Sequence, residues 1–259
     1  MSRLPAGGQI DRGRRLRVTF DGRPLDAHPG DTLASALVAS GVRLVGRSFK
    51  HHRPRGILSA GSEEPNALVT TGTGARATPN VRATQQEAHD GLVAASQNRW
   101  PSLALDLMAI NDLAAPLIGA GFYYKTFMWP ARAWERLYEP LLRRVAGLRA
   151  LSGLPDPDPC EKAHAFADLL VIGAGPAGLA AALSAGRAGA RVILADEDFR
   201  MGGRLNAERL EVGGMPGADW AACAVAELAA LPNVRLMPRT TVTGAHDGGV
   251  YGALERVAG

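Results

Sequence analysis

A glycine-rich segment that follows a short apolar run most constrains the fold of this chain. Residues 169–172 are Leu-Leu-Val-Ile, and they lead directly into Gly173-Ala-Gly175-Pro-Ala-Gly178 and an alanine-rich stretch. Glycines at this spacing permit a tight strand-to-helix turn, the approach of a pyrophosphate and close packing of the helix on the sheet. The helix predicted to begin near Pro176 directs free N–H groups at the phosphates. The segment therefore predicts a dinucleotide site.

The residues after this helix support the same interpretation. Residues 191–195 predict a second parallel strand. Asp196 ends it about twenty residues past the glycines, where a carboxylate bonds the ribose hydroxyls. Met201-Gly202-Gly203 follows, and this spacing suits NAD and FAD equally. We find no base or nucleophile beside the glycines, so we expect no catalytic residue in this chain.

The composition excludes several classes of protein. The 259 residues suffice for one large or two small domains. The formal net charge is +4, but no aromatic residues alternate with the clustered arginines near the start of the chain, so nucleic-acid binding is not favoured. Two cysteines, Cys160 and Cys223, cannot supply an iron–sulfur cluster, which needs about four thiolates. No apolar segment approaches the roughly 20 residues that span a bilayer, and no signal peptide precedes the chain. We therefore expect a cytoplasmic protein without membrane or nucleic-acid partners.

The first part of the chain predicts a β-grasp module. Asp21-Gly22 suits a type I′ turn between two strands, and Asp31 is predicted as the N-cap of a helix over 32–40 that Gly41 closes. A hairpin followed by a crossing helix is typical of ferredoxin-like modules. The strands predicted for its sheet are residues 16–20, 24–27, 67–71 and 81–84.

Two segments leave a structural and a functional interpretation open. Residues 46–56 form a basic loop that is either solvated or faces a phosphate or a partner subunit. Its adjacent His51 and His52 would point to opposite faces of a strand, so we expect no metal site there. Residues 97–150 concentrate the aromatic residues, either as a helical linker or as a surface for another subunit. The proline-punctuated residues 151–159 predict a domain boundary.

These elements predict an α/β plus α+β chain in three parts. Residues 1–96 are expected to form a β-grasp, ferredoxin-like domain without a cluster, and residues 97–159 an aromatic-rich helical linker. Residues 160–259 are expected to form a Rossmann-like FAD/NAD(P)-binding domain. This last domain is expected to be incomplete, because no apolar strand remains to pair beside the first one. Its further elements are a helix over 218–231 and strands at 234–237, 240–245 and 249–254.

Several motifs resemble one family, the alpha subunit of heterotetrameric, tetrahydrofolate-linked sarcosine oxidase. The resemblance covers nearly the whole chain and implies an N-terminal portion of such a subunit. The motifs that carry it, before the glycine motif, are Gly46-Arg-Ser-Phe-Lys-His-His-Arg-Pro-Arg-Gly-Ile57, Glu64-Pro-Asn66, Pro79-Asn-Val-Arg-Ala-Thr84, Ser96-Gln-Asn-Arg-Trp-Pro-Ser102, Asn111-Asp-Leu113 and Gly121-Phe-Tyr-Tyr-Lys-Thr-Phe-Met-Trp-Pro130.

The resemblance implies a function and a set of cofactors. It implies an oxidoreductase complex with beta, gamma and delta subunits that demethylates sarcosine to glycine, using tetrahydrofolate and oxygen. FAD and FMN belong to the complete complex, and NAD is implied on this chain. Ser59-Ala-Gly-Ser62 stands where thiolates would be needed, which implies no iron–sulfur cluster. The implied cofactor-binding residues are Gly173, Gly175, Pro176, Ala177 and Gly178 for the pyrophosphate, Asp196 or Glu197 for the ribose, and Gly202, Gly203 and Arg204 beside the adenosine.

Two other functions fit the same residues. One is an FAD-dependent oxidoreductase of the class with two dinucleotide domains, because the glycine spacing does not exclude FAD. The other is a non-catalytic assembly fragment, because a half-built parallel sheet leaves an unpaired edge. On any of these interpretations we expect the chain alone to lack catalytic competence.

Overall fold

The computed structural model describes residues 3–115, 121, 129–140, 143 and 151–257. The chain divides into two compact units, Met1–Pro159 and Cys160–Gly259. Among the described residues, no helix has the length and apolar character needed to cross a membrane. The three-part division expected from the sequence stays a prediction.

The first unit is built on a mixed five-stranded sheet. Its order is β2–β1–β7–β5–β6, in which β1 pairs antiparallel with β2 and parallel with β7. A separate two-stranded ladder joins β3 and β4, and one short helix, α1 (Leu33–Ala39), packs against the sheet. The strands in the described part of this unit are β1 (Leu16–Phe20), β2 (Arg23–Ala27), β3 (Gly46–Arg47), β4 (Pro54–Arg55), β5 (Leu68–Thr71), β6 (Thr78–Arg82) and β7 (Val93–Ser96).

The core of the first unit lies between α1 and one face of this sheet. Leu33 and Leu37 from α1 are fully buried together with Val18 and Val69 from the sheet. Residues four apart share one face of a helix, and alternate residues share one face of a strand, so these side chains meet in one layer. Their removal from water is the main favourable term for this small domain.

The turns of the first unit confirm some predictions and correct others. Asp21 and Gly22 have φ values of 48° and 78°, as the predicted type I′ turn requires. The helix cap is different: Thr32 is the N-cap, and its side chain and that of Ser35 form a capping box. The prediction of Asp31 as the cap is wrong because its buried carboxylate accepts two hydrogen bonds from Arg3, both at 2.8 Å.

The last part of the first unit is described only in pieces. Trp100 and Trp129 are largely exposed, and the Tyr138 hydroxyl donates to the Trp129 carbonyl over 3.1 Å. Of the aromatic residues expected in the linker, those at positions 122–124 and 127 lie outside the described residues. The short helical turns of this unit are the 3-10 segments Gly74–Arg76, Leu107–Ala114 and Ala131–Ala133 and the π-helical segment Trp134–Tyr138.

The second unit is a parallel β-α-β arrangement. Its three-stranded sheet has the order β12–β9–β8, and all pairs are parallel. The two-stranded antiparallel pairs β10–β11 and β13–β14 complete its described strands. These strands are β8 (Leu169–Ile172), β9 (Val192–Ala195), β10 (Glu211–Val212), β11 (Met215–Pro216), β12 (Val234–Met237), β13 (Thr240–His246) and β14 (Val250–Glu255). The helices are α2 (Pro176–Arg187) and α3 (Gly217–Ala230), with 3-10 turns at Gly203–Asn206 and Asp247–Gly249.

The helices α2 and α3 pack on this sheet through buried leucines, and a glycine lets α2 come close. Leu179 and Leu183 of α2 are buried with Leu194 and Leu228. A Cβ at Gly186 would lie 2.8 Å from Val234 Cγ2, so glycine is what lets α2 approach β12 this closely. The predicted strand at 169–172 is confirmed, and so is the helix beginning at Pro176.

We expect Thr32→Ala to destabilise the first unit. The substitution removes the side-chain acceptor for the Ser35 N–H, and loss of such a cap costs about 1 kcal/mol. Urea denaturation followed by circular dichroism measures the free energy of unfolding. Thr73→Ala is the matched control, since Thr73 precedes a 3-10 turn and makes no side-chain cap hydrogen bond. Equal losses in both variants would contradict the capping role.

Candidate functional site

The glycine segment forms a tight turn between β8 and α2. Gly173 has a φ of 95°, in the region that favours glycine. A Cβ at Gly178 would overlap the carbonyl oxygen of Gly173 and lie 3.4 Å from Val171 Cγ1. Glycine at this position therefore lets the first turn of α2 rest directly on the turn that precedes it.

Gly175 has a different role in the same turn. It is the N-cap of α2 with a φ of −68°, which any residue can adopt, and a Cβ there would meet no atom within 4 Å. No side chain caps the helix at this end. The first N–H groups of a helix have no intrahelical partner, and the helix dipole places positive charge beside them. The space in front of Gly175 thus adjoins uncapped donors that suit an anion.

Ala174, in the middle of the glycine turn, is held from both sides. Its N–H donates to Oδ2 of Asp196 over 2.5 Å, and its carbonyl oxygen accepts from the Gly202 N–H over 2.8 Å. The residue is fully buried. Two segments that are distant in sequence therefore fix the backbone of the turn.

Asp196 is itself fixed by the sheet and by the turn that follows it. Its N–H donates to Met237 and its carbonyl oxygen accepts from Thr240, over 3.0 and 2.7 Å. Only 8% of the surface of Asp196 is exposed to solvent. Its Oδ1 accepts the Asp198 N–H over 2.8 Å. Both carboxylate oxygens therefore accept backbone hydrogen bonds within the protein.

The structure brings Gly202 and Gly203 against the glycine turn but leaves Arg204 at the surface. Gly202 and Gly203 have φ values of 128° and 54°, and a Cβ at Gly203 would lie 3.0 Å from the Cα of Gly175. The Arg204 guanidinium pairs with Glu208 one helical turn later. Glu197 is partly exposed, and its carbonyl oxygen accepts from Arg256 over 3.3 Å.

In the first unit, a buried carboxylate organises the loop that precedes β5. Glu64 is 1% exposed. Its Oε2 accepts the N–H groups of Leu58 and Ser59 over 2.7 and 2.6 Å, and its Oε1 accepts those of Asn66 and Ala67 over 2.7 and 3.1 Å. The Glu64-Pro-Asn66 motif was noted in the sequence without a role. Two adjacent acids, Glu63 and Glu64, in a loop gave no signal of which one would be buried.

Hydrogen bonding keeps this carboxylate ionised. Burial disfavours the charge and acts to raise the pKa, but the four backbone N–H donors outweigh it and hold the pKa of Glu64 below its ordinary value of 4.5. The loop therefore contains a resident anion.

The two histidines of the basic loop lie beside aspartates of the 3-10 segment Leu107–Ala114: Asp106 is its N-cap and Asp112 lies within it. Buried His52 places Nδ1 2.7 Å from Oδ2 of Asp106, whose Oδ1 accepts the Trp100 N–H over 2.9 Å. Nδ1 of His51 lies 3.1 Å from Oδ1 of Asp112, in an alignment that makes no hydrogen bond. Within the described residues, these contacts anchor the loop rather than leave its histidines solvated.

Comparisons with known protein families match both units. Residues 13–99 match the family described as 2Fe-2S iron-sulfur cluster binding domain, and residues 168–244 match FAD dependent oxidoreductase. The chain therefore combines a ferredoxin-like domain with an FAD-dependent oxidoreductase domain in a mixed α/β fold. A crystal structure of L-proline dehydrogenase from P. horikoshii shares this fold, with a TM-score of 0.55 and 19% identity over 95% of this chain and 38% of that one.

Two relatives are similar to this chain over nearly all of its length. The chain is 61% identical, over 98% of its length, to the sarcosine oxidase subunit alpha of Rhizobium meliloti (strain 1021), and 38% identical, over 98%, to that of Corynebacterium sp. (strain P-1). The chain is a homologue of sarcosine oxidase alpha subunits. It spans 26% and 22% of these two relatives, about a quarter of their length.

These matches correct the cofactor prediction. The expectation of NAD as the main cofactor is wrong, because the nucleotide-binding segment belongs to an FAD-dependent domain. The expectation of no iron–sulfur cluster is also wrong, because residues 13–99 belong to a 2Fe-2S cluster binding domain. The NAD expectation failed because the glycine spacing is common to NAD and FAD sites and does not separate the two cofactors.

The cysteines that would hold an iron–sulfur cluster are not found among residues 13–99. Cys160 and Cys223, the two cysteines of the chain, both lie outside residues 13–99. Cysteine thiolates are the ligands that hold such clusters. In the loop before β5, the backbone donors of residues 58, 59, 66 and 67 converge instead on the Glu64 carboxylate. Residues 13–99 therefore do not fit a cluster held by their own cysteines.

We expect Glu64→Gln to destabilise the first unit at neutral pH by about 2 kcal/mol or more. The glutamine amide nitrogen cannot accept the two N–H groups that one carboxylate oxygen accepts now. Urea denaturation measures the loss. Glu63→Gln, at the exposed neighbouring position, is the matched control and should change the free energy of unfolding little.

The same pair of variants gives a pH test. A carboxyl whose pKa is lowered by folding stabilises the protein above its unfolded pKa, and this contribution disappears as the pH falls through the lowered folded value. The difference between wild type and Glu64→Gln should therefore shrink as the pH drops below 4.5. A difference that stays constant with pH would contradict the ionised state of Glu64.

Replacing Gly178 or Gly175 by alanine should affect the free energy of unfolding to different extents. Gly178→Ala forces a Cβ into the Gly173 carbonyl, and we expect it to lower the free energy of unfolding by several times the effect of Gly175→Ala. Gly175→Ala meets no neighbouring atom and should cost about 1 kcal/mol at most, as a change of cap residue. Thermal unfolding of both variants measures the difference. Equal losses would contradict this geometry.

Proposed function

We propose that the second unit binds FAD through its adenosine diphosphate half, as part of a sarcosine-oxidizing complex. The open space in front of Gly175, beside the uncapped N-terminus of α2, is the observation that carries this proposal. A pyrophosphate needs close approach of backbone N–H groups, and glycine permits it.

Three groups of residues are assigned to the nucleotide. Gly173, Gly175, Pro176, Ala177 and Gly178 would line the pyrophosphate, whose oxygens accept from backbone N–H groups of this segment. Asp196 or Glu197, at the end of β9, would reach the ribose hydroxyls, because acids at this position do so in dinucleotide folds. Gly202, Gly203 and Arg204 would border the adenosine. The short separation between the Gly203 and Gly175 backbones supports a common site for these segments.

A bound flavin supplies two-electron oxidation of an amine substrate. The described residues of this chain hold and orient it. The helix N-terminus offers N–H donors to the phosphates, and Met201 and Leu205, on either side of the turn at residues 202–203, are buried in the core of the unit. We assign no proton transfer to these residues.

We also propose the setting in which the chain acts. Its relatives are named as subunits of sarcosine oxidase, which supports assembly with the beta, gamma and delta subunits of such a complex. The proposed overall reaction is oxidative demethylation of sarcosine to glycine, with tetrahydrofolate taking the one-carbon unit and oxygen taking the electrons. Catalysis is then a property of the complex.

Gly175→Leu tests the nucleotide site. We expect the wild-type chain to bind FAD and the variant to lose at least about 100-fold in affinity, because the leucine side chain fills the space that the pyrophosphate needs. Fluorescence titration with FAD measures the affinity. Ala181→Leu, on the exposed face of the same helix, is the control and should bind FAD normally. Unchanged FAD affinity in Gly175→Leu would refute the site, and tight binding of NAD without FAD would refute the cofactor.

A further inference from the structure

The side chain of Asp196 is engaged within the protein itself. Both of its carboxylate oxygens already accept backbone hydrogen bonds, from Ala174 and from Asp198, over 2.5 and 2.8 Å. A carboxylate that served only the ribose hydroxyls would have no need of a partner in the glycine turn. Its burial, with 8% exposed, matches a role inside the fold.

A continuous series of hydrogen bonds links Asp196 to the glycine turn and the segment after it. The ladder between β9 and β12 extends to Asp196, whose N–H donates to Met237 over 3.0 Å. The carboxylate then accepts the Ala174 N–H, and the Ala174 carbonyl accepts the Gly202 N–H over 2.8 Å. The peptide groups on both sides of Ala174 are thus fixed without any ligand.

The position of Ala174 decides where the next donors point. Ala174 lies between Gly173, with its φ of 95°, and Gly175, which caps α2. Glycine has the widest choice of backbone angles, so a turn with glycine on both sides of one residue needs an external restraint. The bonds to Ala174 supply that restraint and set the direction of the N–H groups at the start of α2.

We propose that Asp196 is a positioning residue for the nucleotide site, which acts on the pyrophosphate through the Ala174 N–H, in addition to any contact with the ribose. The identity of the ligand in this inference rests on the proposed function. The hydrogen bond between Ala174 and Asp196 is seen in the structure itself. Asparagine in place of Asp196 has nearly the same shape but cannot replace it. Its single carbonyl oxygen can accept from Ala174 or from Asp198, and its NH₂ group then opposes the other donor.

The test compares two ligands that differ only at the ribose. Wild type, Asp196→Asn and Asp196→Ala are titrated with ADP and with 2′,3′-dideoxy-ADP by calorimetry. A positioning role predicts that both variants lose about tenfold or more in affinity for the dideoxy ligand as well. Dideoxy-ADP affinity within about twofold of wild type, with loss confined to ADP, would overturn the proposal. Asp219→Asn, at an exposed site in the first turn of α3, is the control.

A second measurement needs no ligand and separates this proposal from the proposed function. The exchange rate of the Ala174 amide proton, followed by NMR, should rise about tenfold or more in Asp196→Ala, which removes the acceptor, and stay unchanged in Asp219→Asn. An unchanged rate in Asp196→Ala would overturn the positioning role even where ADP binds. Failure of the wild type to bind ADP or FAD would refute the proposed function instead, and the amide exchange would still decide the role of Asp196.

Discussion

The hydrogen bond between the Ala174 N–H and the Asp196 carboxylate is the contact on which the candidate site depends. It joins the turn after β8 to the end of β9, the two places where a parallel sheet presents its carboxyl edge. Ligands of open α/β sheets bind at that edge. Because the turn contains two glycines, Gly173 and Gly175, its backbone would sample many conformations without this restraint. The restraint thus reduces the entropy that a nucleotide must remove on binding.

The first unit uses the same physical device for a different loop. Glu64 accepts four backbone N–H groups, and Asp196 accepts two. In both units a buried carboxylate satisfies main-chain donors that secondary structure leaves unpaired, which folded proteins must do at nearly every buried donor. The two acids differ in what they hold, because Asp196 bonds the turn that precedes Gly175 and Glu64 bonds the loop in which it lies itself.

Local patterns made much of the fold predictable. Asp21-Gly22, the run 169–172 and the helix from Pro176 follow from turn chemistry, apolar runs and capping preferences, all of which act over a few residues. Asp31 shows the limit of this reasoning. Either Asp31 or Thr32 could cap α1, and a contact from Arg3, 28 residues away, engages the aspartate. Such long-range pairing has no local signature.

The site shows the same division between local and long-range information. Spacing predicted the glycines and Asp196 as site residues, but the backbone of Asp196 is bonded to Met237 in β12, which follows about forty residues later in the chain. The cofactor prediction failed for a related reason. Glycine spacing is common to NAD and FAD sites, and the cysteine count was the ground for expecting no cluster on a fold that was predicted as ferredoxin-like. Both corrections came from family matches over residues 13–99 and 168–244.

The central claim is that the glycine turn is already shaped for a pyrophosphate before the nucleotide arrives. A crystal structure of the chain grown with FAD tests this most directly. We predict pyrophosphate oxygens within hydrogen-bond distance of the N–H groups at the start of α2, with the bond between Ala174 and Asp196 unchanged at about 2.5 Å. A nucleotide bound elsewhere, or a turn whose Ala174 N–H has left Asp196, would contradict the account.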